Sequence, residues 1–432
     1  MDFDGLSVDQ APPITAPLRF FATAPLFALL AGFFILFSDA ATLSSRFAPQ
    51  TVAITHAITI GFFSFVMFGA LVQMLPVLAG VKIARVDKVS KISYALLVMG
   101  TLGMIFGLWF ELSKLLLVAS LLLGGGFLLL ITAMLFAFRT VVHVNASIRA
   151  MITSLVFALL ITFLGAHLLA SYGIGKFGAL HPLFANIHSV WAIFGFAGIL
   201  IIGVAFHILP MFYVAPRFEP SFQRFVTPMI GAALALWLVL NLFAPSYTVV
   251  AKSLIALLFI IFALAALSKL NARRRKVSDI TIWYWKSATL FMVFGALTWV
   301  ANDFFDEKYS VVVSVLIGGG FIFSVMSGML YKIVPFLVWF HLNAKGYMSI
   351  PTMNDMINKK AAKWQFALFS ISLVGFTLSF FMVELLGFFA LIFIISMVLL
   401  EFNIISAVLI YFKTIKTKPD FDMSMFTTKA EQ

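Results

Sequence analysis

The sequence predicts an all-α integral membrane protein of about twelve transmembrane helices, on three observations. The 432 residues are 62% hydrophobic and only 11% charged, where a soluble domain carries roughly 25% charged residues. Apolar runs of about 20 residues, the length a helix needs to cross the hydrocarbon core, recur from one end to the other, and mean hydropathy is +1.09. Nothing alternates apolar with polar in short segments, as the strands of a membrane barrel do. With no cysteine, disulfides, iron–sulfur clusters and thiolate–zinc sites are excluded. Any metal must rely on His, Met, Asp or Glu. The first ten residues, MDFDGLSVDQ, are acidic, whereas a secretory signal needs a basic n-region, so no cleaved signal is expected.

The apolar runs place spans near 17–38, 51–80, 92–112, 115–138, 150–170, 186–214, 225–243, 247–270, 286–303, 309–341, 364–383 and 385–412. Residues 1–16 and 413–432 are tails to a single transmembrane domain. Charge then orients the spans. The loops after even-numbered spans hold Lys82, Arg85, Lys88 and Lys91, then Arg139 and Arg149, then Arg217 and Arg224. They go on with Arg273, Arg274, Arg275 and Lys276, then Lys345, Lys359, Lys360 and Lys363, and the C-terminal tail adds Lys413, Lys416 and Lys418. The opposite loops hold single cations, Arg46, Lys114, Lys176, Lys252 and Lys308, among the acids Asp39, Glu111, Asp303, Asp306, Glu307 and Glu384. Cytoplasmic loops are the ones enriched in Lys and Arg, so both termini are expected inside. The net charge of +12 is thus a topology signal and not a nucleic-acid footprint; the partner is the lipid bilayer.

Three spans share a pattern. Gly69, Gln73 and Pro76 in span 2 match Gly203, His207 and Pro210 in span 6, and Gly328, Lys332 and Pro335 in span 10. In each, Gly lies seven residues before Pro and the polar residue three before it. The prolines are four spans apart, so the chain reads as three four-helix units, about 17–138, 150–270 and 286–412, related by pseudo-threefold symmetry. A proline deep in a helix frees a carbonyl that neighbouring protein must satisfy, and a glycine two turns earlier admits another helix. Both devices suit spans inside the bundle. Two internal sixfold repeats, the plan of a common transporter class, do not fit. Gly124–Gly126 and Gly318–Gly320 are read as close helix-packing sites.

The topology sorts the seven histidines. His143 and His341 fall at the basic face and are read as interfacial. His56 and His188 begin spans 2 and 6, while His167 ends span 5 and His181 precedes span 6. Ionisable groups at membrane depth are costly and face the bundle interior or a polar cavity, and imidazole is a common ligand of metals and haem. Two histidines at the same end of equivalent spans make His56 and His188 the cofactor candidates, with His167 and His181 as further metal candidates.

Thr55-His56-Ala57-Ile58-Thr59-Ile60-Gly61-Phe62, with Gly69 and Pro76 beyond it, resembles the second span of haem-copper oxidase subunit I. It resembles still more closely the smaller NnrS-like haem-and-copper membrane proteins associated with nitric-oxide stress. Twelve spans in three four-helix arcs is also that superfamily's plan. The resemblance implies a haem, with copper as a further cofactor, and His56 as the outer haem ligand. It implies a bacterial inner-membrane location and a cytochrome, a quinol or another membrane subunit as partner. The departures matter. The span-10 positions that carry haem ligands in the oxidases are Val313 and Val315 here, the span-6 copper position is Val190, and 225–243 contains no histidine. An oxygen-reducing centre of the oxidase kind is not expected, and fold alone does not fix function. Nitric-oxide tolerance, electron transfer and cofactor handling are the roles the resemblance leaves open. The competing expectation is a transporter or channel whose polar path runs through Gln73, His207, Lys332 and Glu401, the first three at one repeat position and the fourth deep in span 12.

Overall fold

Twelve helices long and apolar enough to cross a bilayer occur among the described residues. The computed structural model describes residues 11–39, 43, 45–277, 279–305 and 308–421. The expected tails at 1–10 and 422–432, and Asp306 and Glu307 of one acidic loop, lie outside them. No strand occurs among the described residues. Without water to bond the backbone, helices are one of two solutions for crossing lipid, the other being a closed barrel. We label the helices α1 (Thr15–Leu36), α2 (Pro49–Ala79), α3 (Val86–Trp109), α4 (Ser113–Thr140), α5 (Ala146–Ile174) and α6 (His181–Tyr213). The remainder are α7 (Pro220–Phe243), α8 (Pro245–Asn271), α9 (Ile280–Phe305), α10 (Ser310–Asn343), α11 (Lys359–Ser379) and α12 (Val383–Thr414).

Several odd-numbered helices begin earlier than hydropathy predicts. The added residues, polar or charged in part at α5 and α11 and largely aromatic at α9, carry their own start signals. Asn145 accepts from the Ile148 amide at the head of α5, Asp279 from the Thr281 amide at α9, and Asn358 from the Lys360 and Ala361 amides at α11. These are N-caps that bond otherwise free first-turn donors. Hydropathy marks the part of a helix in hydrocarbon, while the helix itself continues into the interface. Gly80 and Gly175, at φ of 64° and 70°, end α2 and α5 in the left-handed conformation, which glycine adopts without a Cβ clash.

Burial separates three helices from the rest. In α2, α6 and α10, 72%, 78% and 67% of the apolar window is buried, against 28–50% in the other nine. The three touch pairwise through aromatic rings: Phe62 stacks on Phe323 at 4.0 Å, Phe68 meets Phe196 at 5.5 Å, and Phe212 meets Phe336 at 5.6 Å. They are the inner helices, and α1 packs against α12 so that the chain's first and last spans meet.

The repeat glycines show why these helices sit inside. A Cβ on Gly69 would lie 2.9 Å from Phe21 of α1, on Gly203 2.2 Å from Ala150 of α5, and on Gly328 2.7 Å from Tyr284 of α9. A second set lies fifteen residues before each proline, at Gly61, Gly195 and Gly320. There a Cβ would meet Phe27 of α1, Phe157 of α5 and Phe291 of α9 at 2.4, 2.6 and 2.4 Å. Each inner helix therefore carries two glycine notches that receive the preceding helix. Each also widens into a π-helical segment at the same place, Ala57–Ser64, Trp191–Gly198 and Val315–Phe323. Such segments occur often at functional sites. The glycine triplets serve less uniformly than expected. Gly126 is pressed by Leu97, Gly319 by Leu373 and Gly320 by Phe291, but Gly125 and Gly318 face open space and Gly124 meets only Ala166, at 3.9 Å.

Both chain ends reach the same end of α10. The His341 imidazole contacts the Pro12 carbonyl at 3.1 Å. Asp420 accepts from the Met348 and Ser349 amides at 2.6 and 2.8 Å. These amides and the Thr352–Asp355 bond hold Asp420 and Asp355 below the usual carboxylate range.

Candidate functional site

His56 and His188 come together. Their ring centroids are 6.1 Å apart and their planes differ by 27°. Each residue lies just ahead of a π-helical segment, His56 in the residue before it and His188 three before it. His56 Nδ1 lies 2.8 Å from the Val52 carbonyl of its own helix, and His188 Nδ1 lies 3.1 Å from the Ile161 carbonyl of α5. A carbonyl only accepts, so the proton sits on Nδ1 in both rings and the lone pair on Nε2. Neither Nε2 has a hydrogen-bond partner among the described residues. Histidines that ligate metals typically donate the other ring N–H to a carbonyl or carboxylate in this way.

Both rings line a partly open cavity bounded by α2 to α6, with a volume of about 110 Å³. Along α2 the lining runs from His56 to Phe68, roughly 18 Å at the rise of a helix. Phe63, Phe68, Phe127 and Phe196 supply aromatic surface, and Gly124, Ala158, Gly165, Ala166, Ala192 and Ala197 leave the space unfilled. The hydroxyls in the lining are already committed. Thr59 donates to the Thr55 carbonyl at 2.9 Å, Ser64 to Thr59 at 2.9 Å, Ser120 to Ala166 at 2.9 Å and Thr162 to Ala158 at 2.7 Å. The cavity offers a ligand hydrocarbon walls, the thioethers of Met67 and Met104, and two imidazole lone pairs. No Lys or Arg lines it.

The residue types fit a metal centre. Two ring nitrogens on opposite sides of one metal, at about 2.0–2.1 Å each, put the ring centroids a little over about 6 Å apart, against about 5 Å at a tetrahedral angle; His56 and His188 are 6.1 Å apart. The apolar walls would suit a flat hydrocarbon surface, and no cation in the lining would pair with carboxylate substituents.

The other candidates lie elsewhere. His167 falls well inside α5, which continues to Ile174, and its ring meets Phe184 at 5.7 Å. His181 is the first residue of α6 and not a loop residue. It is 8% exposed, sits among Phe47, Tyr172 and Phe177, and its Nδ1 has no partner. Neither lines the cavity. Among the described residues no three or more His, Asp or Glu side chains gather to hold a metal, so the outer histidines do not form one multi-ligand site.

The residues of the expected polar path are not joined to one another. Lys332 pairs with Asp279, the N-cap of α9, so it neutralises a carboxylate at the basic face. Burial pushes the Asp279 carboxyl up, but Lys332 and the Thr281 amide outweigh it and hold the group below its ordinary range. Gln73 is 4% exposed with neither amide atom partnered, His207 is exposed, and Glu401 has one buried oxygen without a partner. No hydrogen bond links any two of the four among the described residues.

The equivalent region of α10 is closed. Val313 is buried, and Phe323 packs on Phe62, Phe369 and Phe393 at 4.0, 5.0 and 5.8 Å. Sequence reasoning missed the cavity's small-residue walls and the role of α5. The second glycine notch, fifteen residues before each proline, was the available signal for the shared construction. No protein-family model matches this chain, and no curated protein matches it either.

Proposed function

We propose that His56 and His188 together hold one metal centre, a haem, in the cavity between α2 and α6, and that the protein transfers electrons within the membrane. The observation that carries this is the 6.1 Å pairing of two imidazoles whose Nδ1 atoms are tied to carbonyls. A haem supplies one-electron chemistry when bound. His56 and His188 would hold it through Nε2, with both rings oriented by the Val52 and Ile161 carbonyls and the surroundings formed of hydrocarbon. If both histidines bound it, no coordination position would be left open, which would favour electron transfer over binding of oxygen or nitric oxide. Val190, Val313 and Val315, with no histidine on α7, support a reading without oxygen reduction.

The second reading is a lone copper ion, favoured by the Met67 and Met104 thioethers in the same lining, since soft ligands select Cu(I). Absorption spectroscopy and metal analysis of the purified protein separate the two. The haem reading expects a Soret band that shifts on reduction and is lost or displaced in His56→Ala. Copper without a Soret band supports the second reading, and neither metal overturns both.

The wider reading is an inner-membrane protein of the haem-copper superfamily plan, with three four-helix units about a pseudo-threefold axis and both termini in the cytoplasm. The paired glycine notches, the common π-helical segments and the loop charges support it.

A further inference from the structure

We propose that Gly165 of α5 is the positioning residue for His188, so that α5, which supplies no candidate ligand, governs where the second imidazole lies relative to His56. This rests on the reading of the His56–His188 pair as a metal site.

The two histidines are held differently. His56 bonds the carbonyl of Val52, four residues back in its own helix, so its ring moves with α2. His188 bonds across to α5, at Ile161. One helical turn further along α5, a Cβ on Gly165 would lie 2.9 Å from His188 Cε1, 3.4 Å from Nδ1 and 3.7 Å from Nε2. All three nearest atoms belong to the imidazole. At Gly203 and Gly328 backbone of the adjoining helix also lies within 3.6 Å, whereas at Gly165, as at Gly61, Gly195 and Gly320, the nearest atoms all belong to one side chain. At 165 that side chain is the His188 imidazole, so the notch sets where the ring lies. α5 is the least buried span, at 28%, yet Ala158, Ile161, Thr162, Gly165 and Leu169 all face the cavity. Ser120 of α4 donates to the Ala166 carbonyl at 2.9 Å, which braces α5 beside the contact. The Ile161 carbonyl fixes the ring's rotation and the bare backbone at Gly165 fixes its height. A methyl group there, 2.9 Å from Cε1, must displace the ring from its present place beside His56.

The test is the spectrum of the full-length protein in detergent, with carbon monoxide as probe. Wild type is expected to show a six-coordinate low-spin band unchanged by carbon monoxide. Gly165→Ala is expected to gain a five-coordinate fraction that binds the gas. Gly125→Ala, where a Cβ meets nothing within 4 Å, is expected to match wild type. A Gly165→Ala spectrum identical to wild type, with no response to the gas, overturns the inference while leaving the metal site standing. A wild-type protein with no metal-centred band overturns both. If Gly165→Ala does not fold, His188→Ala removes the ring the methyl would strike, and added imidazole reports on the space. Imidazole should bind about tenfold more weakly in His188→Ala/Gly165→Ala than in His188→Ala, the scale of an overpacking penalty. Equal affinities contradict the proposal.

Discussion

The α2–α6 side of the molecule and the α10 side are built from the same parts and end in opposite states. All three inner helices carry two glycine notches, a π-helical segment and a late proline. Between α2 and α6 the segments lie beside a cavity with two histidines at its end. At α10 valines stand near the equivalent positions, and Phe323, Phe369 and Phe393 occupy the space. The shared parts therefore set the scaffold, and a few side chains decide whether a pocket opens. Small residues at 158, 165, 166, 192 and 197 keep one side open; phenylalanines close the other.

The comparison breaks most sharply if the open side is filled. Ala192 lines the cavity, so Ala192→Phe is expected to lower bound cofactor about tenfold or more by overpacking while leaving the helix content intact. Pigment-to-protein absorbance ratio and circular dichroism read the two quantities. Retention of full cofactor would mean that the centre lies outside this cavity.

Hollowing the closed side should cost stability and not cofactor. Phe323 is 1% exposed. Phe→Ala in a water-soluble core costs about 3–5 kcal/mol, but lipid is as apolar as the side chain, so mainly the packing loss remains. Phe323→Ala is expected to cost about 2–3 kcal/mol in unfolding experiments, with the spectrum unchanged. A spectral change would couple the two sides.

A smaller effect is expected at the Lys332–Asp279 pair, with side-chain exposures of 18% and 25%. Removing one partner of a fully buried pair costs about 3–5 kcal/mol; solvent screening reduces that to about 1–2 kcal/mol for Asp279→Ala. The carboxyl is held below its usual range, so its contribution is present above the unfolded value, about pH 4, and fades as pH falls through the lower folded value. Thermal unfolding of wild type and Asp279→Ala should converge in that acid range. Asp279→Ala with unchanged stability at neutral pH would return Lys332 to the candidate polar path.

Much of the scaffold was legible in the sequence because membrane helices are written in long apolar runs and because Gly, polar and Pro recur at fixed spacing. Pairing His56 with His188 followed from the same repeat. The ends of α5, α9 and α11 were less legible, since capped turns at the interface are poorly marked by hydropathy. The cavity was hidden because it depends on what neighbouring helices lack, and a glycine facing a ring looks in sequence like a glycine facing a helix. Gly124 was read as a packing site and lines the cavity instead. Lys332 looked like part of a path because its partner Asp279 is 53 residues away.

The central claim is that one metal needs both His56 and His188. The most direct measurement is metal content per protein in wild type, His56→Ala, His188→Ala and the double variant, purified alike. The account predicts a near-stoichiometric metal in wild type, and in each single variant a loss or a change of coordination that the double variant extends to complete loss. Wild-type protein without metal, or single variants with wild-type content and spectrum, would contradict it.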